Sequence, residues 1–281
     1  MNSKLIPFAL SFAPSRLRGL FIDHIDQRDR EGAKTRRTTG SPIQIVLICL
    51  LASCFAAAPA TTRTAKIRIV LAGDSTVTDK AGWGPGFERA LTDDVDCLNY
   101  SAGGRSSGSF IREGVWKKCL DARPDYILIQ FGHNDQPGKP GRSTDLATEY
   151  PKFMTQYVDD VRAIGAKPIL VTSMSRRQFG SDGKIHSTLV PWVEAVKKIA
   201  AEKSVPLIDL HARTIDFYEK LGKEQCEKQI APRKEDGTVD NTHLNAKGGL
   251  IVGAMVVEEL RKAVPELATF TKSPSSSQPA E

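Results

Sequence analysis

Three residue types that together can cleave an ester occur in this sequence, a serine in its first third and an aspartate and a histidine near its end. Ser75 lies in a GDST sequence directly after the apolar run 66–72, and Asp240 and His243 begin and end a DNTH sequence. In a Ser-His-Asp triad the carboxylate orients the imidazole, which takes the proton of the serine hydroxyl as it attacks a carbonyl. The alternatives are a turn-forming serine, a surface aspartate and a histidine that begins a helix.

Two further segments could supply donors to the negatively charged oxygen of an ester transition state. Residues 99–106 (NYSAGGRS) are rich in glycine, and a glycine lets its backbone N–H approach a substrate oxygen closely. Residues 132–135 (GHND) contain Asn134, whose side-chain amide could donate to the same oxygen. The alternative for both segments is a turn without a chemical role.

Two other patterns compete for the catalytic roles. Residues 104–108 (GRSSG) match the Gly-x-Ser-x-Gly turn of α/β-hydrolases, which would make Ser106 the nucleophile. That interpretation leaves the GDST serine and the asparagine without roles, so Ser75 is favoured. Asp209 and His211 follow another apolar run and could supply a base, but a histidine that caps or packs there is the simpler interpretation.

Short apolar runs typical of buried parallel strands alternate with helical segments along the chain. Strands are predicted at residues 66–72, 95–100, 125–131, 167–172 and 205–210. Helices are predicted at about residues 86–92, 108–120, 146–164, 188–203, 211–222 and 245–262. The alternation predicts a three-layer α/β/α sandwich with a parallel sheet of about five strands. Ligands bind such sheets at the carboxyl ends of the strands, where the serine and the asparagine are expected.

The GDST, AGGRS, FGHND and DNTH segments resemble, in type and in order, those of the SGNH hydrolase superfamily, also called GDSL esterases. The resemblance extends over about residues 67–260 and is strongest to the rhamnogalacturonan acetylesterase branch. It implies the flavodoxin-like fold of that superfamily and no cofactor. It also implies a triad of Ser75, Asp240 and His243 and an oxyanion hole of Ser75, Gly104 and Asn134. Gly104 is preferred to the glycine before it because it directly precedes the Arg-Ser pair. The sequence has no CxxC motif and no histidine-rich spacing, so a metal site is not expected.

This resemblance predicts an esterase that removes acetyl groups from a plant cell-wall polysaccharide, pectin or rhamnogalacturonan in particular. The loops expected at the active edge are basic, with one acid, Asp182, against Arg105, Lys139, Arg142, Arg176, Arg177 and Lys184. Arginine can bind a uronate carboxylate through paired hydrogen bonds, and we expect Arg105 and His133 to contact substrate. The alternatives are a lipase or lysophospholipase of the same superfamily, another carbohydrate esterase, and a carbohydrate-binding protein without catalytic activity.

Residues 1–60 differ from the rest of the chain and are excluded from the predicted domain. Residues 43–58 are uncharged, follow a basic cluster and precede small residues, which is the layout of a secretory signal. We therefore expect a secreted or periplasmic protein, with a single membrane anchor as an alternative. The LASC sequence that ends at Cys54 resembles a bacterial lipobox, which would place a lipid anchor on Cys54. The hydrolase domain is predicted at 61–265 and a disordered tail at 266–281.

The net charge of +6 does not predict a nucleic-acid partner. Residues 1–60 hold 8 Lys and Arg against 4 Asp and Glu, which leaves 31 against 29 in the rest of the chain. The basic character is therefore largely a property of the leader.

Three cysteines follow the leader, and this odd number permits at most one internal disulfide. Cys97 begins a predicted strand, and Cys119 ends the helix that returns antiparallel to it. We therefore expect these two to pair at the sheet edge opposite the active site, with Cys226 left free. The alternative for each cysteine is a buried thiol.

Overall fold

The computed structural model describes residues 66–273, and a five-stranded parallel sheet forms its centre. The strands are β1 (Ile67–Gly73), β2 (Val95–Asn99), β3 (Tyr126–Gln130), β4 (Lys167–Val171) and β5 (Leu207–Ile208). Their spatial order is β2-β1-β3-β4-β5, so the prediction of an α/β fold with a parallel sheet of about five strands is confirmed. β5 is shorter than predicted because the Asp209 side chain accepts a hydrogen bond from the Ala212 N–H and begins the next helix.

The described part of the chain has eight α-helices, most of them close to their predicted positions. They are α1 (Gly84–Arg89), α2 (Ser107–Arg112), α3 (Val115–Asp121), α4 (Glu149–Ala163), α5 (Val190–Glu202), α6 (Leu210–Leu221), α7 (Lys223–Gln229) and α8 (Ala246–Ala263). The single helix predicted at 108–120 is two helices, because Gly114 adopts a left-handed conformation with φ 74°. Helix α7, which the sequence pattern did not predict, begins directly after Gly222, the cap residue of α6.

The sheet separates two apolar cores. Along β1, Ile69 and Leu71 point to the face covered by α1 and α8, whereas Val70 and Ala72 point to the face covered by α2–α5. All four side chains are fully buried. Burial of an aliphatic side chain as large as Val, Leu or Ile contributes about 1.5–3 kcal/mol. A strand buried on both faces must be apolar throughout, which is why β1 is a continuous apolar run.

Glycine allows α8 to lie directly against α1, and this contact places the start of α8 near the end of β1. A Cβ at Gly253 would lie 2.3 Å from the backbone nitrogen of Phe87, so a larger residue would push the two helices apart. Just before α8, the Leu244 N–H donates to the Ala81 carbonyl, at 3.0 Å, in the loop that follows β1. The residues that precede α8 are thereby held beside that loop.

The prediction that the tail begins at 266 is wrong for its first eight residues. A short 3-10 helix, Pro265–Phe270, follows α8 and buries Leu267 in the core. The Lys272 N–H then donates to the Ala90 carbonyl at 2.8 Å, so the chain is folded to the end of the described part. The predicted signal, the lipobox cysteine Cys54 and the last eight residues lie outside the described residues. Within residues 66–273, no helix is both long and apolar enough to cross a membrane.

The predicted disulfide between Cys97 and Cys119 is wrong, because both residues are free thiols. Cys97, on β2, packs against the core on the α1 and α8 side, whereas Cys119, on α3, lies in the core on the other side of the sheet. Side chains on opposite faces of a sheet cannot meet within the reach of an S–S bond. Burial raises the pKa of each thiol to about 12.

Candidate active site

Ser75 lies in a tight turn at the carboxyl end of β1. The buried side chain of Asp74 accepts hydrogen bonds from the Thr76 N–H, at 2.8 Å, and the Thr76 hydroxyl, at 2.7 Å, and so fixes the backbone on both sides of Ser75. A Cβ on Gly73 would lie 2.5 Å from a methyl carbon of Val77, so glycine is required for the turn to close. The Ser75 side chain is partly exposed while its neighbours are buried. This is the geometry of a hydroxyl presented at the sheet edge.

His243 connects Ser75 to Asp240, although 168 residues separate it from the serine. Its Nε2 lies 2.9 Å from the Ser75 Oγ, and its Nδ1 lies 2.8 Å from the Asp240 Oδ2. A carboxylate that accepts from Nδ1–H leaves Nε2 unprotonated and able to accept the serine proton. The structure thus brings together the three residues that the sequence analysis assigned to a triad.

The Asp240 carboxylate is held in its ionised form. Its other oxygen, Oδ1, accepts from the backbone N–H groups of Thr242, at 2.7 Å, and His243, at 2.9 Å. Partial burial raises the pKa of Asp240, but the hydrogen bonds from the His243 ring and from these two N–H groups outweigh it and lower the pKa to about 2. At neutral pH, Asp240 is therefore a charged acceptor that orients the imidazole.

The glycine-rich turn and Asn134 lie where the sequence analysis placed them, at the carboxyl edge of the sheet. A Cβ on Gly103 would lie 3.8 Å from the Ser75 Cβ, so this turn borders the serine. Gly104 has φ 78°, a conformation that favours glycine. The Asn134 side-chain amide donates one hydrogen bond to the Arg105 carbonyl at 3.0 Å, and its second N–H is left for another acceptor. The role of Gly104 and Asn134 as oxyanion donors stays a prediction.

The two rival patterns have structural roles. Ser106 is fully buried and is the N-cap of α2, where its hydroxyl oxygen accepts from the Ser109 N–H. Asp209 caps α6 and forms an ion pair with Lys197 at 2.9 Å. His211 is buried, with its Nδ1 2.9 Å from the Ser173 carbonyl oxygen. The alternative nucleophile, Ser106, and the alternative base, His211, are thus both buried, and Asp209 and His211 already have partners within the fold.

Asp74, the residue before Ser75, forms a buried pair with His133 that the sequence pattern did not predict. The expected contact of His133 with substrate is wrong, because the side chain is 2% exposed and its Nδ1 faces the Asp74 Oδ2 at 3.3 Å. Burial lowers the pKa of His133 and outweighs the opposing effect of Asp74. Asp74 belongs to the GDST sequence and His133 to the GHND sequence. The pair therefore joins the turn that carries Ser75 to the loop that carries Asn134.

The basic edge is smaller than the sequence predicts, because two of its six cations form ion pairs and a third is buried. Arg105 is partly exposed and pairs with Glu113 at 2.8 Å, and Lys184 pairs with Glu219 at 2.9 Å. Arg177 is 7% exposed, so its predicted place on the basic edge is wrong. In residues 66–273, no three His, Cys, Asp or Glu side chains are grouped as a metal site requires.

Comparison with known proteins identifies the class of the chain. Residues 71–249 match the GDSL-like Lipase/Acylhydrolase family, so the chain belongs to this family and is a carboxylic ester hydrolase. Rhamnogalacturonan acetylesterase RhgT of Bacillus subtilis is 39% identical over 212 residues, which cover 70% of this chain and 90% of that protein. YesY of the same organism, named probable rhamnogalacturonan acetylesterase, is 32% identical over 69% of this chain and 92% of that protein.

A solved structure of the Bacillus subtilis protein YxiM has a similar fold. The two structures align with a TM-score of 0.63 and 25% sequence identity. The aligned part covers 73% of this chain and 58% of that one. This similarity agrees with the family assignment and places the described strands and helices in the fold of the GDSL hydrolases.

Proposed function

We propose that the chain is an exported serine acetylesterase that removes acetyl groups from an acidic plant cell-wall polysaccharide of the pectic type. The observation that carries the proposal is the continuous hydrogen-bonded path from Ser75 through His243 to Asp240. The names of the relatives RhgT and YesY support a carbohydrate acetylester as the substrate.

Each residue of this path has one task in the proposed reaction. The Ser75 Oγ attacks the acetyl carbonyl carbon while His243 Nε2 takes its proton. His243 then protonates the ester oxygen of the sugar, whose bond to the acetyl carbon breaks, so that the sugar leaves with a free hydroxyl and the acetyl group stays on Ser75. A water molecule, deprotonated by the same imidazole, attacks the acetyl-enzyme, acetate leaves, and the proton returns to Ser75. Asp240 holds the imidazole in the required tautomer and stabilises its charged form.

The oxyanion is held by the Ser75 N–H, the Gly104 N–H and the Asn134 amide in this proposal. Asn134→Ala should therefore lower kcat for p-nitrophenyl acetate by about a hundredfold to a thousandfold, the usual loss for one oxyanion donor. Steady-state kinetics, with urea unfolding as the check on folding, measure it. Asn99→Ala is the control, because Asn99 also lies at a strand end but donates to the Asp79 carboxylate and the Val77 carbonyl. An unchanged kcat would leave Asn134 as a turn residue.

The charges beside the serine support an acidic polymer. Lys139, Arg142 and Arg176 have no carboxylate within salt-bridge distance in the described part of the chain. Arg142 donates to the Gly104 carbonyl at 3.5 Å, and Lys139 and Arg176 both donate to the His133 carbonyl. Partial burial and the nearby charges of the two arginines lower the pKa of Lys139. Three cations without a carboxylate partner thus lie beside the segments that carry Gly104 and Asn134, where uronate carboxylates would neutralise them.

Activity on acetylated pectic polymer should fall with added salt, whereas activity on neutral p-nitrophenyl acetate should barely change, because salt screens the attraction between the basic edge and a polyanion. Arg142→Gln should lower kcat/KM for the polymer about three- to tenfold more than for the small ester. This factor corresponds to the loss of roughly 1 kcal/mol from a charge-assisted hydrogen bond to a uronate carboxylate. Parallel assays of acetate and p-nitrophenol release over a salt series measure both effects.

Arg213→Gln is the matched control, because Arg213 forms its ion pair with Glu258 on the surface of α6 and α8. It should leave the ratio of the two activities unchanged. An equal salt response for both substrates would indicate a neutral glycan. A preference for long acyl chains over acetate in a p-nitrophenyl ester series would indicate a lipid esterase.

Export is part of the proposal and rests on the sequence of residues 1–60. N-terminal sequencing of protein from the culture medium or the periplasm should find a mature chain that begins near residue 60. A mature chain that begins at a lipid-modified Cys54, recovered with membranes, would instead establish a lipid anchor.

A further inference from the structure

The loop that carries both Asp240 and His243 has little regular structure of its own. Residues 232–245 contain a single isolated bridge, between Arg233 and Val239, before α8 begins. A triad tolerates misplacement of well under 1 Å, so contacts from other elements must fix the loop. The clearest such contact comes from Arg177, in the segment that follows β4.

Arg177 bonds to three carbonyl groups of this loop. Its backbone N–H donates to the Asn241 carbonyl at 2.8 Å. Its Nη2 donates to the Asp240 carbonyl, at 2.7 Å, and also to the His243 carbonyl. One nitrogen atom therefore joins the backbones of the proposed acid and base. The relative position of these two residues sets the distance between Asp240 Oδ2 and His243 Nδ1.

The guanidinium itself is immobilised by its surroundings. It lies 5.4 Å from the centre of the Tyr218 ring, over its face, and Tyr218 is fully buried on α6. A cation over an aromatic face is stabilised when water is excluded. In the described part of the chain Arg177 has no carboxylate partner, and its Nε and Nη1 have no hydrogen-bond partner. The strong bonds of this buried cation are therefore directed at the catalytic loop.

We propose that Arg177 is a positioning residue, which acts on the reaction by holding Asp240 and His243 in register with Ser75. The proposal rests on the function proposed above, because it requires these three residues to be the triad. Arg177 touches no reacting atom, so its loss should impair the chemical step and leave the binding of a small ester unaffected. Lysine can place one ammonium nitrogen, with three N–H donors, near the loop and keep a cation over Tyr218, but it lacks the planar guanidinium.

Arg177→Met, which keeps the apolar bulk, should lower kcat for p-nitrophenyl acetate about thirty- to hundredfold with KM changed less than about threefold. The rate of labelling by a fluorophosphonate probe should fall by a similar factor. Arg177→Lys should recover part of this loss. Added guanidinium, at concentrations that do not unfold the protein, should raise kcat of Arg177→Ala, which vacates the space of the side chain, several-fold relative to sodium chloride at the same ionic strength.

Arg162→Met is the matched control, because the Arg162 Nη2 also donates to two backbone carbonyls, those of Lys203 and Ser204, but on an exposed surface. It should leave kcat unchanged. If the Met variant at position 177 does not fold, as measured by urea unfolding, the Lys variant decides, with a kcat loss of about three- to tenfold expected. A folded variant at position 177 with unchanged kcat and labelling, or a loss confined to KM, would overturn the proposal.

Failure of the triad assignment would appear differently. If the wild-type protein is not labelled, or if Ser75→Ala protein is labelled as fast as wild type, the proposed function itself is wrong. If labelling depends on Ser75 but is independent of Arg177, only the positioning role is wrong.

Discussion

Replacement of Ser75 by alanine should abolish esterase activity, with kcat for p-nitrophenyl acetate reduced by roughly a millionfold. The Ser75 Oγ is the one atom of the proposed triad that forms a bond to the acyl group, so no neighbouring group can replace it. Folding should be unaffected, since the turn is held by the hydrogen bonds between Asp74 and Thr76 and not by the Ser75 hydroxyl. Active-site titration with a fluorophosphonate, together with steady-state kinetics, measures the loss.

Ser106→Ala is the matched control for this prediction. It removes the N-cap of α2 and should cost about 0.5–2 kcal/mol of the free energy of unfolding. Most of the activity should remain at a temperature where the variant is folded, because the Ser106 hydroxyl is buried. Near-normal turnover by folded Ser75→Ala protein would refute the assignment of Ser75 as the nucleophile. Loss of labelling only in the Ser106 variant would support the alternative Gly-x-Ser-x-Gly turn, with Ser106 as the nucleophile.

The sheet and most of the helices were predictable because their causes are local. A strand buried on both faces is a continuous apolar run, and a helix that covers it has an apolar stripe. The errors concern features that tertiary contacts decide. Gly114 is an exception, because its left-handed conformation is local, but a glycine within a helical pattern is compatible both with a continuous helix and with a turn. The predicted tail is folded because Leu267 finds a place in a core formed by distant residues.

The site was predictable to the extent that strand ends locate it. Ser75 follows β1 and Asn134 follows β3, and parallel strands bring such residues to one edge. Residue type could not show which polar groups of these loops are exposed. His133 and Arg177 lie beside site residues in the sequence or in the fold and were expected to face substrate, but both are buried. The same limit applies to Cys97, whose face of the sheet depends on register.

The errors at His133 and Arg177 have a common physical origin. A polar side chain can be buried when groups from other parts of the chain pair with some of its atoms. Asp74 faces the His133 ring, and the Asp240 and His243 carbonyls accept from Arg177. The buried polar residues thus hold in place the groups that the sequence did identify.

Asp240→Asn should lower kcat by about ten-thousandfold while the fold is retained. The side-chain oxygen of the introduced asparagine can still accept from the Thr242 and His243 N–H groups, which leaves its NH₂ facing His243 Nδ1. Nδ1 must then accept a hydrogen bond, so the ring proton moves to Nε2, which can no longer take the proton of Ser75. The loss should therefore appear in kcat and in fluorophosphonate labelling alike, with little change in KM for p-nitrophenyl acetate.

Asp209→Asn is the control for this prediction, because Asp209 lies at another strand end but caps α6 and pairs with Lys197. Its kcat should stay close to that of wild type. A folded Asp240→Asn protein with wild-type kcat would exclude Asp240 from the triad.

The pH dependence of stability gives an independent check. A carboxyl whose folded pKa is lowered to about 2 stabilises the fold above its unfolded pKa of about 3.9 and loses that contribution as the pH falls toward 2. The difference in unfolding free energy between wild type and Asp240→Asn should thus shrink as the pH falls below about 4, because the wild-type carboxyl titrates there and the asparagine does not.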